Sequence, residues 1–527
     1  MQDFNEGALN YFLAKKNDDK MLLASVLDLS DSCWFDHEFI KQIKIIEKYF
    51  MDEDITHLSD LNWEVLLDNK FQSEFELSRG FEPIICKLIK EEKYSEVYNY
   101  IHNSLDYELS TLKKLCIMFF KLKKYEQCIN VGSKFLVQNQ DYYICEIVAE
   151  SYLVLNELQD ANKYFELALK LNANLVSAKF KFLMTSAQLG KVLSTKDIAD
   201  MKKIAIKREN ASWVRTTAHL LLEYQYYDDC IKLFNILKRI QKQGLYSIDN
   251  LSLANAYKCL NDKKNYKCHL DEAINGSFEF EFHQSGVDSD KLLVTFSSAS
   301  GYVLRKYQYN ADRLNIIDGS YSYYLYSSEF IVELITKLAK KYNYSHISLV
   351  GLSKGSCGAL SVSNSLRHKL KNTSINAVLF SGQMRLWPFN KNLKIPSYRE
   401  FVKYLQINSY LRDQIAHKAD FTEMNYSGDF YRIHAFYGKG FDMDVVETES
   451  LRGKDNVYVH PLDYSGHGSS IPLTIPEGKT YEDLKKAYSK LKVDDDFKAL
   501  GGEDLTDIVD EIYEIYKDPQ MRLKNFL

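Results

Sequence analysis

From the first residue to about 275, apolar residues recur at intervals of three and four with few glycines or prolines between them, which is the period of amphipathic helices. From about residue 291 the pattern changes. Compact β-branched and aromatic runs now alternate with helical stretches to the end of the chain. Lys291 to Ser297, RLNIID, HISLVG, NAVLFSG, YRIHAFYG and NVYVHPL read as strands, and SSEFIVELITKLAKKY, the segment after Ser353 and the C-terminal segment read as helices. Strands alternating with helices predict a mostly parallel sheet covered by helices on both faces. The expected architecture is a multidomain chain: an N-terminal helical region (1–90), helical repeats (91–275), a linker (276–290) and a three-layer α/β domain (291–527).

The helical half contains internal echoes. KKYEQCINVGSKFL (Lys123 to Leu136) returns as QYYDDCIKLFNILK (Gln225 to Lys238), and a weaker echo, EKYSEVYNYI, begins at Glu92. The two closer echoes stand three periods of about 34 residues apart. Between them, AESYLVLNELQDANKYFELALKLNAN places Ala149, Tyr152, Ala161, Phe165 and Ala168 where a helix pair packs small residues against large ones. This stretch resembles the tetratricopeptide repeat, although the usual proline after the second helix is absent. Stacked helix pairs bury a continuous core only with their neighbours and present an extended face. The resemblance implies either a protein or peptide partner on that face or a scaffold that braces the second half.

At 527 residues the chain is too long for one hydrophobic core. Its formal net charge of -5 is spread without a long block of either sign, so electrostatics gives no reason to expect nucleic acid or an anionic membrane as the main partner. No run approaches the ~18 consecutive apolar residues of a spanning helix. The opening MQDFNEGALNYFLAKKNDDK lacks the apolar core of a secretory signal, so a cytoplasmic location is expected. Nine cysteines are scattered without close pairs. Cys116, Cys128, Cys145 and Cys230 sit among apolar residues at helical spacing, which suits reduced, buried thiols. The twelve histidines have no HExxH or CxxC company, and no metal site is expected.

The candidate chemistry begins at Gly351-Leu352-Ser353-Lys354-Gly355, a G-x-S-x-G directly after a strand and before a helix. A turn of that kind forces the serine into a cramped backbone conformation and aims its hydroxyl out above the carboxyl edge of the sheet. The helix beneath it brings a positive dipole end, and the Lys354 N–H points to where an oxyanion would form. A serine hydroxyl needs a base and a group to orient that base. YRIHAFYGKGFDMDVVE runs from a strand into a glycine turn followed by Asp442 and Asp444, and NVYVHPLDYSGHGSS runs from a strand into a small-residue loop holding His467. His434 and His460 lie inside predicted strands as core or surface residues, and Asp463 serves the turn before His467.

The elbow, the order Ser, Asp, His and the strand-end placements together resemble the α/β-hydrolase superfamily over roughly residues 290 to 527. The resemblance implies Ser353 as nucleophile, His467 as general base and Asp442 as its orienting carboxylate, with Asp444 in reserve. It also implies a second oxyanion donor in the loop FSSASGY, near Ser298 and Ala299, with the hydroxyls of Ser297, Ser298 or Ser300 adding to it. The HG or HGGG form of many lipases is absent. The long segment from Gly382 to Phe421, mixing aromatic and basic residues, stands where inserts in the superfamily often cap the pocket. The implied function is a serine-dependent hydrolase of an acyl ester or amide, working through an acyl-enzyme without a cofactor. The FSSASG loop and the aromatic-rich IIDGSYSYYLYSS also look like bacterial enzymes that O-acylate surface polysaccharides or glycoproteins, including the accessory secretion protein Asp-two group. That likeness implies a glycan acceptor and acetyl-CoA as acyl donor. A third expectation is an inactive hydrolase fold that serves as a binding platform while the repeats recruit a protein.

Overall fold

The computed structural model describes Ile89, residues 107–488 other than 242–243, 287–288, 299–300, 306 and 308, and residues 509–527. The expected helical region 1–90 and the weaker echo at Glu92 lie outside the described residues, apart from Ile89, which is helical. The described chain falls into two compact units, 107–152 with Leu167–Ala173, and Leu153–Glu166 with Asn174–Leu527.

The helical part comprises α1 (Leu109–Lys121), α2 (Tyr125–Gln138), α3 (Tyr142–Val154), α4 (Leu158–Leu171), α5 (Val176–Gln188), α6 (Thr195–Arg208), α7 (Ala211–Glu223), α8 (Tyr227–Ile240), α9 (Ser247–Cys259) and α10 (Lys263–Asn275), of which α1 with α2, α5 with α6, α7 with α8 and α9 with α10 pack as antiparallel pairs. In the first unit, α1 and α2 pack through Leu112, Leu115 and Phe119 against Val131 and Phe135, all buried. Cys116, Cys128, Cys145 and Cys230 are buried and unbridged.

In the second unit the helix pairs differ in how they are covered. α8 buries the single stripe Cys230, Leu233, Phe234 and Leu237, as an amphipathic surface helix should. By contrast, α7 is buried at every position from Val214 to Leu222, and α9 from Ser247 to Ala254. The first helices of these pairs are therefore enclosed on more than one face.

The α/β part is a seven-stranded sheet: β1 (Phe278–His283), β2 (Lys291–Phe296), β3 (Asp312–Asp318), β4 (His346–Leu352), β5 (Ser374–Phe380), β6 (Tyr431–Gly438) and β7 (Val457–Leu462). The order is β1-β3-β2-β4-β5-β6-β7, with β1 antiparallel to β3 and all other pairs parallel. The stretch expected as a linker thus supplies an edge strand. FEFEFH alternates phenylalanine with a polar residue, the period of a half-exposed strand.

Successive residues of a strand face opposite sides, and the sheet uses both. Leu292, Leu349, Ala377 and Ile433 join one apolar core, while Leu293, Val350, Val378 and Phe436 join another. The first of these cores continues without a break into the repeats, taking in Phe180, Val214, Phe234 and Leu251. The boundary expected at 276–290 is therefore not a break in packing. α11 (Ser328–Tyr342) and α12 (Lys354–Lys369) flank the central strands, and the insert after β5 carries α13 (Pro396–Ile407) and α14 (Ser409–Ile415). α15 (Asp442–Glu449) follows β6, and the chain ends with α16 (Ile471–Thr474), α17 (Tyr481–Tyr488) and α18 (Val509–Tyr516). No helix among the described residues is long and apolar enough to cross a membrane.

Candidate active site

Ser353 stands between β4 and α12 with φ +50° and ψ -120°, a backbone conformation that an L residue holds only when its surroundings enforce it. The enforcement is visible. The Ser353 N–H donates to the Phe380 carbonyl at 2.8 Å, and Ser356 Oγ donates to the carbonyls of Gly351 and Phe380 at 2.9 and 3.1 Å. A Cβ on Gly351 would lie 2.4 Å from the Gly355 carbonyl oxygen, and one on Gly355 would lie 2.2 Å from the Phe296 carbonyl oxygen. Both contacts are with backbone that cannot yield, so the two glycines flanking the serine are a steric requirement of this turn.

His467, in the loop after β7, brings Nε2 to 2.9 Å from Ser353 Oγ. Its Nδ1 faces Asp444, 2.8 Å from Oδ1 and 2.9 Å from Oδ2. An ionised carboxylate accepts and does not donate, so it fixes the proton on Nδ1 and leaves the Nε2 lone pair for the serine hydroxyl. The loop is pinned as well: Ser381 Oγ donates to the His467 carbonyl, and the Ser469 N–H donates to the same oxygen at 2.9 Å. The Asp444 side chain is 2 % exposed and that of His467 15 %, so the acid is sealed and the imidazole can be reached.

The partner of His467 is Asp444 and not Asp442. Both stand in the first turn of α15, but two residues along a helix are rotated by roughly 200° about its axis. Asp444 therefore turns inward while Asp442 is exposed. The order of preference between the two acids is reversed.

The remaining expected residues divide. Lys354 opens α12, whose first amides lack intrahelical acceptors, while its Nζ lies 3.6 Å from the buried carboxylate of Asp318. Ser298 is half-buried in the loop after β2, and Ala299 and Ser300 lie outside the described residues. Ser297 is committed elsewhere: its N–H donates to the Ile316 carbonyl at 3.0 Å, its Oγ donates to the Gly301 carbonyl, and its own carbonyl accepts from Tyr324 Oη at 2.6 Å. His434 and His460 pair with each other at 3.0 Å across β6 and β7, and burial, chiefly, pushes His434 down to about 4. Asp463 is exposed against Lys439. Among the described residues no group of three or more His, Cys, Asp or Glu could hold a metal ion.

Two residues at this site were not singled out from the sequence. Gln383 is 1 % exposed, and its Nε2 donates to Ser353 Oγ at 3.2 Å and to the Ser381 carbonyl at 3.1 Å. Because that carbonyl only accepts, it sets which end of the amide faces the serine. Glu447 lies three residues beyond Asp444 on α15, buried, accepting from the Met384 and Arg385 N–H groups at 2.9 and 3.1 Å and from Asn390 Nδ2 at 2.6 Å. Burial pushes its carboxyl up, against the pull of those donors. One short helix thus holds both the acid at His467 and the start of the insert. Cys357, four residues after Ser353, is kept protonated mainly by burial and is no rival nucleophile. Neither Gln383 nor Glu447 carries a sequence signal, since each acts across a turn that only the fold closes.

A hydroxyl hydrogen-bonded to an imidazole whose other nitrogen is held by a carboxylate can pass its proton to that imidazole as the oxygen attacks an electrophile. No family model and no curated protein matches the chain. Among solved structures it is similar to MamA AMB-1 (15 % identity, 31 % of this chain and 94 % of that one, TM-score 0.28). It is also similar to YrrB, a TPR protein with an unusual peptide-binding site (12 %, 36 % and 91 %, TM-score 0.30). A third likeness is to a lipase-esterase related protein from Clostridium acetobutylicum ATCC 824 (14 %, 37 % and 93 %, TM-score 0.27). The described residues form an array of helix pairs followed by an α/β domain with a seven-stranded, mostly parallel sheet.

Proposed function

We propose that the α/β part is a serine-dependent hydrolase of acyl esters or amides. The observation that carries this reading is the unbroken hydrogen-bonded line Ser353, His467, Asp444 on a positive-φ turn at a helix N-terminus. In this reading Ser353 Oγ bonds to the acyl carbon while its proton passes to His467 Nε2. The bond to the leaving group breaks as that group takes the proton from His467, and an acyl-serine remains. Water repeats the sequence, giving its proton to His467 and releasing the acid. Asp444 keeps the imidazole in its tautomer and balances the imidazolium formed in each half. The Lys354 N–H lies beside the developing oxyanion, and Gln383 fixes the direction of the serine oxygen.

A fluorophosphonate probe should label the wild-type protein at Ser353 and fail to label Ser353→Ala, with short p-nitrophenyl esters hydrolysed only by the former. Well-folded wild type that neither labels nor turns over such esters would overturn the reading.

A further inference from the structure

The helices of the insert lie on one particular set of repeat helices. α13 packs on α5 and α7, and α14 packs on α9. These are the first helices of three successive pairs, and two of them, α7 and α9, are the helices buried on more than one face. The covering contact is polar as well as apolar. Gln188 on α5 donates through Nε2 to Gln406 Oε1 at 2.8 Å. Asn408, fully buried at the junction of α13 and α14, places Nδ2 3.1 Å from both His219 Nδ1 on α7 and Ser252 Oγ on α9. At the rim, Glu223 accepts from the N–H and Oγ of Ser409, both at 2.7 Å. Arrays of helix pairs use an extended face of this kind to bind other chains. Here the face carries a segment of its own chain.

The other end of the insert meets Ser353. Gln383 donates to the serine oxygen, and Glu447 holds the amides of Met384 and Arg385 from the helix that carries Asp444. Ser397, at the start of α13, pairs at 2.9 Å with Tyr323, whose neighbour Tyr324 holds the Ser297 carbonyl. The insert is therefore a span fixed at one end by the site and at the other by the repeats.

We propose that the repeat array holds residues 396–415 as a ligand loaded in cis, occupying the face that such arrays otherwise offer to another chain. In Asn408→Ala, with the full chain otherwise unchanged, amide exchange across 396–415 should rise by about tenfold or more while the central strands β4 and β5 stay protected. Glu223→Gln, which touches only the exposed rim, should show the same effect at smaller size and serves if Asn408→Ala does not fold. Unchanged exchange over 396–415 would refute cis loading.

Discussion

In the second compact unit His467 lies between Asp444 and Ser353, and His219 lies between Asp249 and Ser252. The distances barely differ: 2.8 and 2.9 Å in the first line, 3.1 and 3.1 Å in the second. Their settings do differ. Asp249 also accepts from Arg215 Nε at 3.0 Å to both oxygens and from the Tyr246 N–H at 3.1 Å. Ser252 sits inside α9 and shares His219 Nδ1 with Asn408. Both His219 and Asp249 are wholly buried, whereas 15 % of the His467 side chain is exposed. Spacing among an acid, an imidazole and a hydroxyl thus marks a hydrogen-bond chain and nothing more. A strained turn, a helix N-terminus and an open approach distinguish the first line, while the second packs two helices onto the insert.

The sharpest way to break this comparison is to remove the two serines in turn. Ser353→Ala should lower kcat for a p-nitrophenyl ester by on the order of 10⁶, the scale of losing the attacking group in a triad. Ser252→Ala, measured in the same assay, should leave kcat within about twofold. Equal losses would mean that the elbow is not the reacting centre.

The acids give the next largest contrast. Asp444→Asn removes the acceptor that fixes the His467 tautomer and should cost about 10⁴ in kcat at unchanged fold. Asp442→Asn, two residues away and exposed, should cost no more than about twofold. Steady-state rates on the two purified variants decide the assignment.

Asp249→Asn addresses the second line through stability. It leaves the buried Arg215 guanidinium without its counter-charge, so urea unfolding should report a loss of about 3–5 kcal/mol. Fluorophosphonate labelling of the fraction that remains folded should proceed at the wild-type rate. A variant as stable as wild type would mean that the buried pair does not hold these helices together.

How much of this was legible beforehand depends on the range of each interaction. The elbow was readable because its demands are local: Gly351 and Gly355 are required by backbone a few residues away or by the adjacent strand, and the motif keeps that requirement in five letters. The central strands β2, β4 and β5 were readable as continuous apolar runs buried on both faces. β1 alternates with the period of a strand but directly follows a helix end, and its pairing with β3 joins Phe278 to Asp318, a contact the local pattern does not carry. The choice between Asp442 and Asp444 turned on where α15 begins, and a one-residue difference there rotates the side chain by roughly 100°. Arg215, His219 and Asp249 carry no signal in the helical period of the repeats. Their enclosure depends on Asn408, 189 residues from His219, and no periodicity carries a contact of that span.

The smallest effect is the pH dependence of that enclosure. Burial holds the His219 imidazole below its ordinary 6.5, outweighing the opposing pull of Asp249, while Arg215 and Lys403 add to the depression. Below about 6.5 the unfolded chain therefore binds a proton that the native protein refuses, and stability falls as the pH falls. His434, held near 4, and His460 contribute in the same direction from the other end of the sheet. Asp249, whose carboxyl is depressed in spite of its burial, would lose its contribution only at lower pH, as protonation of the native carboxylate sets in. The contribution of His219 is isolated by comparison with His219→Gln. Between pH 6 and about 4.5, the slope of unfolding free energy against pH should be steeper in wild type by up to one proton, about 1.4 kcal/mol per unit. Identical slopes would mean that His219 is protonated in the native protein, and its bond to Asp249 would then be an ion pair that completes the buried cluster with Arg215.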